Sequence, residues 1–194
     1  MNDVFIISDE AYEDIVFDGG KHVSTAGVAA CNGYQNIIST YTYSKSFAAT
    51  GLRVGYAASK NKAAIKLING AQYTHTAGVP TALQLGLVNA YKIDLSGVVK
   101  EFELRRNALY NGLSGVDGIR VVRPQGAFYA YPDFSEALKK VNGNGEKELI
   151  DILLECGVCI VPGWAFTKHD HFLSYARLSY SAATVPLINT AVER

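Results

Sequence analysis

The chain has 194 residues, of which 48% are hydrophobic and 19% are charged, and its formal net charge is zero. This composition is typical of a globular protein with one domain and part of another, and it gives no indication of a nucleic-acid or membrane-surface partner. No apolar run approaches transmembrane length, and no basic leader followed by an apolar stretch is expected.

The first predicted strand, residues 4–7, is a short apolar run that is typical of a buried parallel strand. Asp9 and Tyr12 follow it, at the position beyond a strand's carboxyl end where open α/β sheets bind ligands. We interpret Glu10 as a solvated turn residue. The simpler alternative for Asp9 and Tyr12 is a strand-end turn with a surface tyrosine.

A second apolar and β-branched run, residues 36–43, is predicted to be a buried strand, and Lys45 follows it where the chain must turn. Burial favours the neutral, nucleophilic amine of lysine, which suits imine formation with an aldehyde. Arg53 lies between Gly51 and Gly55, which let backbone or ligand come close. A guanidinium near a lysine needs an anion, and phosphate is the usual one. The alternative is a surface lysine with an unrelated arginine.

Apolar periodicity predicts the helices that follow. Ser59 is predicted to cap a helix that ends near Tyr73, a second helix begins at about Pro80, and a longer one runs from Asp94 or Ser96 to about Gly115. Their predicted inward faces are Ala64, Ile65, Ile68 and Ala71 in the first helix, Leu83, Leu87 and Ala90 in the second, and Val98, Phe102, Leu109 and Leu113 in the third.

Residues 119–123 and 127–131 are predicted to be the two strands of a hairpin. A surface loop over 141–145 is expected to precede a helix over 147–155, and a strand is predicted over 159–162.

The cysteines Cys31, Cys156 and Cys159 suggest no disulfide framework, so we expect a cytoplasmic protein. Cys156 and Cys159 match the C-x-x-C pattern of redox pairs. Because Cys159 begins an apolar run, a buried strand cysteine is favoured over a redox pair.

The last predicted strand, residues 175–180, carries Arg177 on the face opposite Ala176 and Leu178. An arginine in such a strand needs an anionic partner or an exposed face. The residues alone leave open an edge-strand arginine in water. A terminal helix is predicted from Thr184.

Five segments carry a resemblance to a known family: D-x-x-Y at residues 9–12, Y-S-K-S-F-A-A-T-G-L-R-V-G-Y at 43–56, P-x-G-A-F-Y at 124–129, P-G-x-x-F at 162–166 and x-R-x-S at 176–179. They resemble the class I/II aminotransferases, the aspartate aminotransferase-like pyridoxal-phosphate enzymes of fold type I. The resemblance implies transfer of an amino group between an L-amino acid and a 2-keto acid.

The resemblance also implies roles for individual residues. Lys45 would form an imine with pyridoxal 5'-phosphate and move the substrate's α-proton. Asp9 would keep the pyridine nitrogen protonated, and Tyr12 would donate to the ring oxygen. Arg177 would bind the substrate α-carboxylate, and no metal site is expected. The implied ligands of the cofactor phosphate are Thr42 and Arg53.

The implied fold class is α/β. Residues 1–93 would form the C-terminal part of the large cofactor-binding domain, with part of a doubly wound, mostly parallel sheet. Residues 94–194 would form a smaller α+β domain entered through a long helix. In the family these motifs belong to the C-terminal half, so we expect a fragment in which strands that normally lie in mid-sheet become an exposed edge. The full-length form is expected to be a homodimer.

Two alternatives stay open at this stage. One is another chemistry on the same scaffold, such as that of a pyridoxal-phosphate-dependent lyase. The other is a catalytically silent fragment that lacks the N-terminal half. Specificity for aspartate would call for a second cationic group, for which His75 and Arg123 are the candidates.

Overall fold

A computed structural model describes residues 4–141 and 146–194 and divides the chain into two compact units, Met1–Val98 and Val99–Arg194. Residues 142–145 of the predicted loop over 141–145 lie outside the described residues. Among the described residues, no helix is both long and apolar enough to cross a membrane.

The first unit contains a three-stranded sheet. Its strands are β1 (Ile6–Asp9), β2 (Ile37–Thr42) and β3 (Gly55–Ala58), in the order β1-β2-β3. β1 pairs parallel with β2, and β2 pairs antiparallel with β3. A parallel pair needs a crossover connection, which here contains the helix α1 (Thr25–Cys31). The strand predicted over 36–43 is confirmed as β2, and the structure places it at the centre of this sheet.

The predicted burial of residues 4–7 is wrong for the described unit. Ile7 is 73% exposed and Phe5 is 53% exposed. A continuous apolar run predicts a strand covered on both faces, but β1 is at the edge of this sheet and pairs only with β2. An exposed strand edge is what the resemblance led us to expect.

The first unit also contains the helices α2 (Lys62–Thr76) and α3 (Thr81–Leu87). The predicted cap at Ser59 is wrong, because Asn61 Oδ1 accepts the Ala64 amide at 3.0 Å, while the Ser59 hydroxyl donates to the Ile37 carbonyl. On the predicted inward faces, Ala64 and Ala90 are buried, whereas Ala71 is exposed. The 3-10 turns in this unit are Thr50–Leu52 and Ala90–Lys92.

The long helix α4 (Ser96–Ser114) has the predicted length. Asp94 Oδ1 accepts the Ser96 amide at 2.9 Å, so the acidic side chain marks the helix start. Of its predicted inward residues, Leu109 and Leu113 are buried and Val98 is exposed.

The second unit contains a three-stranded antiparallel sheet. Its strands are β4 (Tyr129–Ala130), β5 (Val161–Pro162) and β6 (Ala176–Ser179), in the order β4-β6-β5. Phe134, Leu138, Leu149 and Ala176 form a buried cluster in this unit. The remaining elements are the helices α5 (Ser135–Lys140), α6 (Glu146–Glu155) and α7 (Val185–Glu193) and the 3-10 turns Gly163–Ala165 and Asp170–Phe172.

The predicted hairpin over 119–131 is wrong. Tyr129 and Ala130 pair with β6, and residues 119–123 contribute only a single bridge between Arg120 and Asp133. Alternation of apolar and polar residues along a strand does not specify which other strand it pairs with. Here the partner is a strand about fifty residues away in the sequence. The prediction of a buried strand cysteine is also wrong, since Cys159 is exposed and lies before β5.

Candidate active site

Lys45 lies in a turn directly after β2. The Thr42 hydroxyl accepts the Ser44 amide at 3.0 Å and begins this turn where the strand ends. Thr50 Oγ1 donates to the Ser44 carbonyl at 2.8 Å, and the Ala48 amide donates to the Lys45 carbonyl at 3.2 Å. These bonds fix the backbone on both sides of Lys45, whose side chain is half-buried.

The backbone around this turn is strained at two positions. Ala48 has a φ of 50° and Arg53 has a φ of 55°, which is the left-handed region that side chains with a Cβ disfavour. Each such residue costs about 1 kcal/mol or more, and such strain is concentrated at functional sites in proteins. The turn after β2 is therefore a candidate site on structural grounds as well.

Gly55 meets a steric requirement of the same segment. A Cβ at this position would lie 2.6 Å from the Tyr41 carbonyl oxygen, so only glycine fits. The predicted close approach is confirmed at Gly55. At Gly51 no atom lies within 4 Å of a built Cβ, so no described contact requires glycine there.

The structure brings Lys45 and Tyr12 together. Lys45 Nζ lies 5.8 Å from the centroid of the Tyr12 ring, within cation–π range. Asp9 is the last residue of β1 and pairs with Thr40 of β2. Parallel strands end at the same edge of a sheet, so the turns that follow β1 and β2 lie side by side.

The other predicted residues of the first unit make local contacts. Asp9 Oδ1 accepts the Ala11 amide at 3.2 Å. The exposed Arg53 donates to the Thr50 carbonyl at 2.9 Å. Arg53 is therefore held within its own turn, two residues before Gly55, the strand partner of Thr42.

Arg177, in the second unit, lies on β6 among aromatic rings. Its guanidinium carbon lies 4.5 Å from the centroid of the Tyr129 ring and 5.1 Å from that of Phe166. The interpretation as an edge-strand arginine is wrong, because β6 is the central strand and Arg177 pairs with Val161 of β5.

Glu10 is buried, whereas the sequence led us to interpret it as a solvated turn residue. It is 4% exposed, and its carboxylate accepts hydrogen bonds from Ser39 Oγ at 2.9 Å and Ser24 Oγ at 3.3 Å and pairs with His22 Nε2 at 2.7 Å. Burial alone raises the pKa of Glu10, but the hydrogen bonds, led by that of His22, outweigh burial and leave the pKa below its usual value. One signal was available: Ser39 falls on the buried face of β2, and a buried hydroxyl needs a partner.

Glu13 brings a second carboxylate to this cluster, and one ligand-type atom each from Glu10, Glu13 and His22 lies within 4.8 Å of the others. Burial and the charges of Asp14 and Glu10 raise the pKa of Glu13. Such a set could ligate a divalent cation. Both Glu10 oxygens already have hydrogen-bond partners within the protein, so we assign the cluster to structure.

The family model for class I and II aminotransferases matches residues 1–194. An aspartate aminotransferase from Bacillus sp. (strain YM-2) is 36% identical over 197 residues, which cover 100% of this chain and 48% of that protein. A probable aspartate/prephenate aminotransferase from Aquifex aeolicus is 38% identical over 192 residues, covering 95% of this chain and 46% of the relative.

Solved structures agree with the fold. The aromatic aminotransferase from Pyrococcus horikoshii OT3 superposes with a TM-score of 0.85 at 28% identity, covering 98% of this chain and 50% of that chain. The chain thus spans about half the length of the relatives that it matches.

Proposed function

Because this chain belongs to the class I and II aminotransferases, we propose that the longer protein transfers an amino group between an L-amino acid and a 2-keto acid with pyridoxal 5'-phosphate as cofactor. The observation that carries the proposal is the position of Lys45 Nζ, 5.8 Å from the Tyr12 ring, at the shared end of two parallel strands. That edge is where sheets of this class bind ligands.

The side chains of the first unit fit the cofactor chemically. Lys45 supplies an amine for an aldehyde, and Asp9 supplies a carboxylate for a pyridinium nitrogen. Tyr12 supplies a phenol for the ring oxygen. The Thr42 hydroxyl and the Arg53 guanidinium could donate hydrogen bonds to the cofactor phosphate. Arg53 would then exchange its hydrogen bond to the Thr50 carbonyl for one to the phosphate.

When bound, the cofactor supplies an electron sink for the substrate's α-carbon. The chain's own residues would hold and move the proton. Lys45 Nζ would accept the proton from the substrate's α-carbon and deliver it to the carbon that the cofactor's aldehyde contributes. Arg177, in the second unit, binds the α-carboxylate.

Capture of the cofactor tests this proposal. We expect pyridoxal phosphate to bind the 194-residue chain saturably and, after borohydride reduction, to label Lys45 in a peptide map. Lys45→Ala should abolish this label and the visible absorbance. Lys60→Ala, which removes an exposed lysine of the same unit, should leave both unchanged. Equal labelling of many lysines would contradict the proposal and favour a catalytically silent fragment.

Lyase chemistry on the same scaffold is the second candidate, but the names of the relatives favour transamination. Release of pyruvate from an amino acid without a keto-acid acceptor would reverse this preference. Pyruvate release can be measured with any form of the protein that binds pyridoxal phosphate.

We further propose, from the resemblance, a cytoplasmic homodimer for the longer protein. The doubly wound sheet, the domain division after residue 93 and the correspondence to the C-terminal half of the family are likewise predictions from the resemblance. A complete reading frame around this segment would test the last of these directly.

A further inference from the structure

A four-residue turn, from Glu10 to Glu13, carries Tyr12. The Glu13 amide donates to the Glu10 carbonyl at 3.2 Å and closes the turn. The Glu10 amide donates to the Thr40 carbonyl at 2.9 Å, so the first residue of the turn is bonded to β2. Tyr12 lies within this turn, and its ring is the one that Lys45 Nζ approaches. The position of the ring beside Lys45 therefore depends on the conformation of the turn.

Both ends of this turn face one imidazole, that of His22. His22 Nε2 lies 2.7 Å from Glu10 Oε2. One ring nitrogen of His22 and one carboxylate oxygen each of Glu10 and Glu13 all lie within 4.8 Å of one another. A proton on the imidazole therefore places a positive charge beside two carboxylates. Without that proton, the two carboxylates face each other as like charges at short range.

Acidic groups dominate the surroundings of His22. Burial and the charges of Asp14 and Glu10 raise the pKa of Glu13, whereas the charge of His22 lowers it. When it is protonated, His22 is thus the positive group of this cluster. The neighbouring elements turn hydroxyl groups toward the two carboxylates, from Ser8 on β1, Ser24 before α1, Ser39 on β2 and Tyr56 on β3.

We propose that His22 is a positioning residue for Tyr12 and makes the candidate active site sensitive to pH. The charged imidazole attracts both carboxylates and holds the two ends of the turn together. Loss of its proton leaves Glu10 and Glu13 to repel each other, so the turn loosens. Histidine side chains change their charge between about pH 5 and pH 8. This deepens the proposed function, on which it rests for its consequence at Lys45, because it assigns a regulation to that site.

Amide hydrogen exchange of the unmodified 194-residue chain, followed by NMR, tests the proposal without the cofactor. The quantity compared is the protection of the Glu13 amide at about pH 6 and about pH 8, corrected for the intrinsic effect of pH on exchange. We expect this protection to fall by about fivefold at the higher pH, because the two carboxylates then repel each other. Amides within α4 serve as the internal control. Equal protection of Glu13 at both pH values would overturn the proposal.

Variants of fixed charge at position 22 assign the effect to the imidazole. His22→Lys keeps a positive charge at both pH values, so we expect high protection of the Glu13 amide throughout. His22→Gln can donate a hydrogen bond but carries no charge, so we expect low protection throughout. His75→Gln, which removes an exposed histidine of α2, is the matched control and should keep the pH dependence of the unmodified chain. A pH dependence that persists in His22→Gln would come from another group and would contradict the proposal.

Glu13→Gln tests the repulsion itself. This variant removes one of the two facing carboxylates, so we expect the turn to stay closed at about pH 8 although His22 is uncharged. The protection of the amide at position 13 should then be equal at the two pH values. A folded Glu13→Gln variant that still loses protection at about pH 8 would show that the two carboxylates do not drive the change.

Capture of pyridoxal phosphate separates this proposal from the proposed function. In a chain that captures the cofactor at Lys45, we expect binding at about pH 8 to be about fivefold tighter in His22→Lys than in His22→Gln. Equal binding by the two variants would show that the turn does not position Tyr12 for the cofactor. Exchange that responds to His22 in a chain that captures no cofactor would refute the proposed function alone. Capture at Lys45 with exchange that does not respond to His22 would refute the role of His22 alone.

Discussion

The Glu10 carboxylate accepts a hydrogen bond from the Ser39 hydroxyl at 2.9 Å, which fastens the residue after β1 to the buried face of β2. The strand that leads to Lys45 and the turn that holds Tyr12 are thus joined by a contact that involves neither residue.

Replacement of Glu10 should destabilise the first unit. Glu10→Ala leaves the Ser39 hydroxyl, which is 0% exposed, without its partner. We expect a loss of about 2 kcal/mol in the free energy of unfolding, measured by urea titration. Asp14→Ala, at an exposed neighbouring position, should change it by less than about 0.5 kcal/mol. If Glu10→Ala had an effect as small as that of Asp14→Ala, the hydrogen bonds of Glu10 would contribute nothing to the stability of this unit.

Asp133 should make the second unit sensitive to acid. Burial raises the pKa of Asp133, but hydrogen bonds from Ser135, Ser174 and Arg120 outweigh it and hold the pKa below its usual value. A carboxyl with a lowered pKa in the folded state contributes stability above the pKa of the unfolded chain. That contribution is lost as the pH falls through the folded pKa.

We therefore expect the stability of the unmodified chain to fall between about pH 5 and pH 2, and the fall to be smaller in Asp133→Asn. Thermal unfolding followed by circular dichroism at several pH values measures both slopes. Identical slopes would mean that Asp133 does not contribute to the acid sensitivity.

Gly163 should be irreplaceable. A Cβ there would overlap the Phe172 carbonyl oxygen and would lie 2.9 Å from that of Tyr175. Gly163→Ala must move the turn that carries Phe166, so we expect a loss of about 3 kcal/mol in the free energy of unfolding, measured by urea titration. Gly115→Ala, where the nearest atom is 3.7 Å away, is the control. A Gly163→Ala variant as stable as the unmodified chain would be inconsistent with the structure.

Arg106 should be essential to the second unit. It is 0% exposed, donates to the Pro124 carbonyl at 2.6 Å and pairs with Glu103 at 3.3 Å. Arg106→Ala removes these bonds and leaves a cavity, at an expected cost of about 3 kcal/mol in a urea titration. Lys100→Ala, exposed on the same helix, should have almost no effect. A small loss in Arg106→Ala would mean that water replaces the guanidinium at little cost.

Local signals were sufficient for several elements. The periodicity of apolar side chains over a few residues predicted β2 and the inward positions Leu109 and Leu113 of α4. The end of the apolar run likewise predicted the turn at Lys45. Gly55 belongs to the same class, because its neighbours in sequence already implied a close approach to the backbone. The family resemblance rests on these same short segments.

Contacts between distant segments were decided only by the tertiary structure. Glu10 was expected in solvent, yet His22, Ser24 and Ser39 reach it from other parts of the chain. Likewise, Tyr129 pairs with β6 rather than within a local hairpin.

The sequence by itself therefore determined where β2, α4 and the turn at Lys45 lie along the chain, since those depend on the backbone preferences of adjacent residues. Only the tertiary structure decided which charges are buried and what surrounds them. The desolvation of Glu10 and the aromatic surroundings of Arg177 arise when segments far apart in sequence exclude water together.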